Sequence, residues 1–377
     1  MKLLIQEYLS SHSLAELESA FAIPAKRHRE FSNLIMLKYS QINSPMSEPV
    51  VQQCRGIILD EASDWAVVSY PFDKFFNYGE PNAAAIDWPH ATVYEKLDGS
   101  LMTLYWYRDQ WRVASSGTPD AGGWAHESGI TFAELFWRTW NAMGYMLPKD
   151  TSRCYMFELM TPENRVIIPH AAARLVLIGV RDLVHFSEHD HAPVAADYGW
   201  QAVNAYPLAT LQDCVTAASK LTGLDGEGFV VRDTGFRRIK VKSPQYVALS
   251  HMKDTLSPRS MLEVIRKNES DEFLNYFPEI RPVYESVKAK YDQLCAELDA
   301  EYAAKKHIES QKDFALAIRS SRCSSALFAL RNKKAATLRD FFAEATQQSV
   351  ERALGITPEA PDKPPAGLAA SAASTGR

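Results

Sequence analysis

The chain has 377 residues, 46% of them hydrophobic, and a formal net charge of −5. The length allows two domains and the apolar fraction allows sizeable cores, which excludes a disordered chain. The acidic balance excludes a protein that holds nucleic acid by global charge, so any polyanion must meet a local basic patch.

The first 25 residues read as helical, with Pro24 as the stop. They carry no signal-peptide pattern. No run reaches the roughly 18 apolar residues of a membrane span, so the expectation is a soluble, cytoplasmic protein with no membrane role. From residue 50 to 245 short strand candidates alternate with turn signals: "GIILD", "WAVVSY", "ATVYEKL", "LMTLYWY", "QWRVASS", "YMFELM", "RVIIP", "RLVLIGV", "GFVVRD" and "RRIKVK". One helical stretch, "TFAELFWRTWNAMGY" (131–145), interrupts them. Beyond about residue 250, Val287, Tyr291, Leu294, Leu298 and Tyr302 recur at helical spacing behind Pro282, and "DFALAIRSS" and "ATLRDFFAEATQQSVERAL" continue in that style. The last stretch, 356–377, is rich in Pro, Ala and Ser and predicts a disordered tail. The expected fold class is therefore α+β: an N-terminal domain on antiparallel sheets over 1–249, then an all-α C-terminal domain over 250–355.

The five cysteines, Cys54, Cys154, Cys214, Cys295 and Cys323, are scattered and form no C-x-x-C pair. They predict buried free thiols in a reducing compartment, and neither a zinc site nor a disulfide framework.

The stretch "VYEKLDGSLM" (93–102) sets Lys96, Asp98, Gly99 and Ser100 between two strand-like runs. Asp-Gly favours a two-residue hairpin turn, because both positions tolerate positive φ. The other reading is a presented lysine nucleophile, which needs a cleavable partner and charge stabilisation on that partner. Three later segments carry charge where a neutral residue would be cheaper. Glu158 interrupts the apolar "MFELM", Glu227 stands between glycines in "LDGEGFVVR", and Lys240 and Lys242 share one face of "RRIKVK" opposite Ile239 and Val241. Singly, each fits a paired strand carboxylate, a turn residue or a solvated strand face. Jointly, two lysines side by side make sense around an anion such as a triphosphate, with a divalent metal held by the carboxylates.

In chain order, Lys96-x-Asp98-Gly99, Phe157-Glu158, Asp225-Gly226-Glu227-Gly228 and Lys240-Val241-Lys242 resemble the motif series of the covalent nucleotidyltransferases, the polynucleotide ligases and mRNA capping enzymes. "CRGIILD" (54–60) and "YPFDKFFNYGE" (70–80) narrow the resemblance to RNA ligases of the T-even bacteriophage type, the first of two phage RNA ligase families. This resemblance implies an ATP-grasp-like nucleotidyltransferase domain and ATP-dependent joining of single-stranded RNA, 5′-phosphate to 3′-hydroxyl, with Mg²⁺ or Mn²⁺. Lys96 would take AMP from ATP, pass it to the RNA 5′-phosphate, and the 3′-hydroxyl would then expel it. A tRNA broken in its anticodon loop is an implied substrate, in the host cytoplasm if the chain is phage-encoded, with the enzyme as a monomer.

Motif by motif, the resemblance places Arg55 and Lys74 beside the nucleotide, Phe76 in the pocket wall and Tyr39 near it. Asp98 and Gly99 would also serve the nucleotide, and Lys240 and Lys242 its phosphates. Glu158 would serve ribose or metal and Glu227 metal, with Asp271 and Glu272 in "ESDEF" as a further acidic pair for metal. Ser100 and Tyr246 would approach the RNA. Ser116 departs from the pattern, which has a basic residue just before the glycine of "VASSGTPD". DNA ligases and capping enzymes normally follow the last motif with an OB-fold, whereas this chain turns helical. A non-catalytic RNA-binding descendant would be expected to have lost Lys96 or a carboxylate, and all are present.

Overall fold

A computed structural model describes residues 2–125, 129–222, 224–251, 258–268, 270–271, 274 and 281–356. The chain divides into two compact units, Met1–Leu256 with Lys267–Pro282, and Ser257–Arg266 with Val283–Arg377. The expected tail lies outside the described residues apart from Ile356.

The first unit is α+β with three sheets. Strands β1 (Ala25–Arg27), β2 (Leu34–Lys38), β3 (Arg55–Asp60) and β4 (Ala66–Ser69) form an antiparallel sheet in that order. Then come β5 (Phe76–Asn77), β6 (Ala91–Glu95), β7 (Ser100–Tyr107), β8 (Gln110–Ser115), β9 (Arg153–Met160), β10 (Arg174–Asp182), β11 (Glu188–His189), β12 (Gln201–Ala202), β13 (Ala205–Tyr206), β14 (Gly228–Asp233) and β15 (Arg238–Lys242). The second sheet runs β13-β6-β14-β15-β5, and the third runs β11-β10-β9-β7-β8 with β12 on β10. Pairing is antiparallel except for β15 with β5 and β10 with β12.

The Asp-Gly hairpin does not form. Strand β6 pairs with β13 and β14 in the second sheet, while β7 pairs with β8 and β9 in the third. Residues 96–99 therefore cross from one sheet to another. Tertiary partners override the local turn preference: the buried Asp98 carboxylate accepts from the backbone N–H groups of Ile167 (2.9 Å) and Ile168 (2.6 Å) and from the Tyr246 hydroxyl (2.6 Å). This also corrects the reading of "RVIIP" as a strand. Its β-branched run is a loop, and its N–H groups are used on Asp98 instead of a ladder.

Other elements differ in detail from expectation. The N-terminal helical stretch is two helices, Leu4–Leu9 and Leu14–Phe21, the second opened by a Ser13/Glu16 capping box. Two further helices, His191–Tyr198 and Leu211–Lys220, interrupt the strand series. The helix Phe132–Ala142 starts at a Thr131/Glu134 capping box and buries Leu135, Phe136 and Trp140 on the third sheet, where Trp140 meets Phe157 (ring centroids 5.6 Å apart). That core fixes β9, the strand that carries Glu158.

The second unit is helical in all its described elements. From Val283 onward the helix Arg281–Lys305 belongs to this unit and buries Val287, Tyr291, Leu294 and Leu298, the stripe read from spacing; Tyr302 is half-buried. The buried Arg266 donates through Nε to the carbonyl of Phe342 (2.7 Å) and through Nη2 to those of Ala343 and Ala345, satisfying carbonyls at the end of the helix Leu338–Glu344. All five cysteines are buried and free.

Candidate active site

Two glycines let the backbone come close enough to build the site. A Cβ on Gly99 would lie 2.4 Å from the carbonyl oxygen of Leu159 and 3.1 Å from Cγ of Glu158, so only glycine lets the Lys96 loop lie against β9. Gly228 has φ +134°, and a Cβ there would lie 2.2 Å from the carbonyl oxygen of Val241. It brings Glu227 beside β15, and the Lys96 N–H donates to the Gly228 carbonyl (2.9 Å).

The result is a cavity of about 180 Å³ whose wall includes Arg55, Lys96, Glu158, Lys240 and Lys242 together with apolar Ile178 and Val203. The second sheet supplies the lysines and the third supplies Glu158. Lys96 Nζ lies 2.6 Å from Glu227 Oε1, and Lys242 Nζ lies 3.6 Å from the same oxygen. Arg55, Lys96, Glu158, Glu227 and the Lys240/Lys242 pair thus bring five separate sequence segments to one place.

The electrostatics are those of a crowded cationic pocket. Burial pushes the Lys240 ammonium well below the ordinary lysine range, and Lys74, Arg55, Lys242 and Lys96 push it the same way. Its Nζ sits over the Phe75 ring (5.0 Å), with the Arg55 guanidinium over that same ring (4.9 Å). Arg55 Nη1 is buried with no hydrogen-bond partner among the described residues. Lys74 Nζ lies 5.3 Å from the ring centres of both Tyr39 and Phe76. On the acidic side, burial pushes the Glu158 carboxyl up to about 8; Glu227 and Asp98 add to this, while Lys96 and Arg55 oppose it. Such a site favours an arriving polyanion, which relieves the repulsion among the cations.

Several expected residues take other positions. Asp98 and Tyr246 are both buried, the Tyr246 hydroxyl donates to Asp98 Oδ1, and Asp98 Oδ2 accepts from the N–H groups of Ile167 and Ile168. Ser100 Oγ accepts from Asn164 Nδ2 (3.1 Å). Ser116 is exposed. Asp271 is exposed and does not line the cavity, and Glu272 lies outside the described residues. Sequence reasoning missed the Asn164–His170 loop, whose His170 Nε2 bonds the Asp98 carbonyl oxygen (2.7 Å), and missed Tyr94 and His191 in the cavity wall.

Among the described residues no group of three or more His, Cys, Asp or Glu gathers as a ready metal site. The donor set nevertheless fits a hard divalent cation. Such ions are commonly held by one or two carboxylates, and substrate phosphates and water complete the shell. Glu158 and Glu227 would supply that pair.

A family model described as RNA ligase matches residues 53–246, and the chain belongs to that family. It is similar to the RNA ligase of Rhodothermus phage RM378, with 28% identity over 314 residues, covering 66% of this chain and 71% of that one. RNA ligase 1 of bacteriophage TS2126 is 30% identical over 181 residues, covering 45% of this chain and 44% of that one. Among solved structures, an archaeal ATP-dependent RNA ligase covers 76% of this chain and 79% of its own, at 11% identity and a TM-score of 0.47.

Proposed function

We propose that the chain seals single-stranded RNA ends with ATP through an AMP carried on Lys96. The observation that carries this is the meeting of Lys96, Glu158, Lys240 and Lys242 in one cavity, with Glu227 ion-paired to Lys96 and Lys242. Lys96 must first leave its ion pair with Glu227 and lose a proton. Its Nζ lone pair then attacks the α-phosphorus of ATP; the bond to the bridging oxygen breaks and pyrophosphate leaves. The RNA 5′-phosphate next displaces the lysine and takes the AMP. Finally the RNA 3′-hydroxyl attacks that phosphate and expels AMP.

In this reaction Lys240, Lys242 and Arg55 hold and neutralise phosphate oxygens, and Lys74 extends the same patch toward Tyr39 and Phe76. Preorganised charge of this kind is a main source of rate in phosphoryl transfer. Glu158 and Glu227 would hold Mg²⁺ or Mn²⁺, which supplies further neutralisation of the developing phosphate charge. Asp98, fixed by Tyr246 and two backbone N–H groups, positions the loop that presents Lys96. The helical C-terminal region is assigned the choice among RNA substrates, including a tRNA broken in its anticodon loop, and the enzyme is assigned to the cytoplasm as a monomer. Among the described residues no helix is long and apolar enough to cross a membrane.

The test is incubation with α-labelled ATP and Mg²⁺ or Mn²⁺, followed by denaturing electrophoresis and then a chase with 5′-phosphorylated RNA. A labelled band whose label moves to RNA supports the proposal. A protein that never labels under either metal contradicts it.

A further inference from the structure

A second cleft, of about 510 Å³, opens beside the Lys96 cavity and shares Phe75 and Arg238 with it as a common wall. We propose that this cleft seats the terminal nucleotide of the RNA strand, its base against aromatic rings and its phosphodiester on arginine and lysine. The inference deepens the ligase reading and rests on it.

Charge and ring chemistry alternate along the cleft. Lys74, Arg181, Arg237 and Arg238 face Asp73 and Glu188, a surplus of positive charge. Glu188 is already committed: Arg238 Nη2 and Arg181 Nη2 lie 2.7 and 3.0 Å from its oxygens. Arg237 is different. It uses Nε on Asp233 (2.8 Å), while its side chain is about half exposed at the cleft. Aromatic faces interleaved with cations are what a single strand needs, since every base offers a π-face and every linkage a negative charge.

The backbone gives a second, independent observation. Phe186 and Phe236 have φ of 61° and 60°, in the left-handed region that a bulky side chain avoids. Both are half-buried, and both line this cleft. Both stand in hairpin loops, β10–β11 and β14–β15, closed by the Asp182 N–H on the Ser187 carbonyl (2.9 Å) and the Asp233 N–H on the Arg237 carbonyl (3.1 Å), so the turns set this conformation. Here its effect is to hold two rings at the cleft wall. Phe236 is further braced by Arg232 and Arg238, whose guanidinium carbons lie 5.0 and 5.9 Å from its ring centre.

Lys74 and Phe76, which the motif resemblance sets beside the nucleotide, line this cleft too, whereas Phe186, Phe236 and Arg237 line this cleft and not the Lys96 cavity. The rings and Arg237 lie on the far side of the Phe75–Arg238 wall from Lys96, so a strand seated there can direct its end over that wall toward the lysyl-AMP. The competing occupant is the departing pyrophosphate, which would need the cations and have no use for the rings.

The experiment uses the full chain with Phe236→Gly and Arg237→Gln. Glycine suits φ near 60°, so Phe236→Gly removes the ring without adding backbone strain. Self-labelling with α-labelled ATP is measured first, then transfer of AMP to 5′-phosphorylated RNA at subsaturating RNA. The expected result is near-wild-type self-labelling in both variants with transfer slowed about tenfold or more, through a raised KM for RNA. Wild-type transfer in both variants overturns the inference. So does an equal loss of self-labelling, which would assign the cleft to pyrophosphate. Absence of self-labelling in the wild-type chain would instead refute the ligase reading, so the two failures are distinct.

Discussion

Two cationic groups in this molecule, one buried and one half-buried in a cavity wall, are treated in opposite ways. In the helical unit, Arg266 is buried and its guanidinium is satisfied by three backbone carbonyls and by Glu263 at 3.2 Å. In the sheet unit, Lys240 is crowded by Lys74, Arg55, Lys242 and Lys96, and Arg55 keeps a buried nitrogen without a partner among the described residues. A buried charge is costly unless it is paired. Arg266 therefore reads as a structural fastening. The cluster around Lys240 reads as a site that becomes comfortable only when an anion arrives.

The comparison can be broken at either end. Lys240→Met should reduce self-labelling by about 10²-fold or more, as for other preorganised charge contacts. Yet it should leave the nucleotide-free protein at least as stable as wild type, because a crowded cation has been removed. A clear fall in Tm would show that Lys240 is a structural group. Arg266→Met should do the reverse. It strands buried carbonyls and should cost about 2–4 kcal/mol in denaturant unfolding of the helical unit. Unchanged stability would remove the contrast.

A third prediction concerns His191, which shares the cavity wall. Burial, with Arg232 and Arg238, lowers its pKa to about 4, against the opposing pull of Asp190 and Glu188. The unfolded chain, with an ordinary histidine near 6.5, binds the proton first as pH falls. The His191 contribution is thus complete above about pH 6.5 and is lost on the way down through about pH 4. It should amount to about 3 kcal/mol. His191→Gln should flatten unfolding free energy against pH across that window. A slope identical to wild type would contradict the assignment. The smallest effect is expected from Gly99→Ala, about 1–2 kcal/mol from pushing the loop off β9. Self-labelling should fall more than stability does, because Lys96 rides on that loop.

Much of the sheet unit could be read from the sequence, and the reasons are local. Strands β3, β7, β9, β10, β14 and β15 each carry a β-branched or aromatic run, and the charges of Glu158, Lys240 and Lys242 stand out because their neighbours are apolar. What failed was also physical. "RVIIP" has strand composition, but its N–H groups go to a carboxylate about seventy positions earlier. Tyr246 is expected near the RNA, and its bond to Asp98 spans 148 positions, which no local pattern reveals. The helix Leu211–Lys220 was readable and missed: Thr210 and Asp213 form a capping box. The Phe186–Phe236 cleft left no signal, since φ is not written in the residue type.

The central claim is that Lys96 carries the AMP. Incubating the protein with ATP and divalent metal, digesting it, and sequencing the peptides by mass spectrometry tests it directly. The account predicts one adenylated residue, Lys96, with the adduct released by acid and stable to base, as a phosphoramidate should be, and absent from Lys96→Ala. An adduct on another residue, or normal labelling of Lys96→Ala, would contradict it.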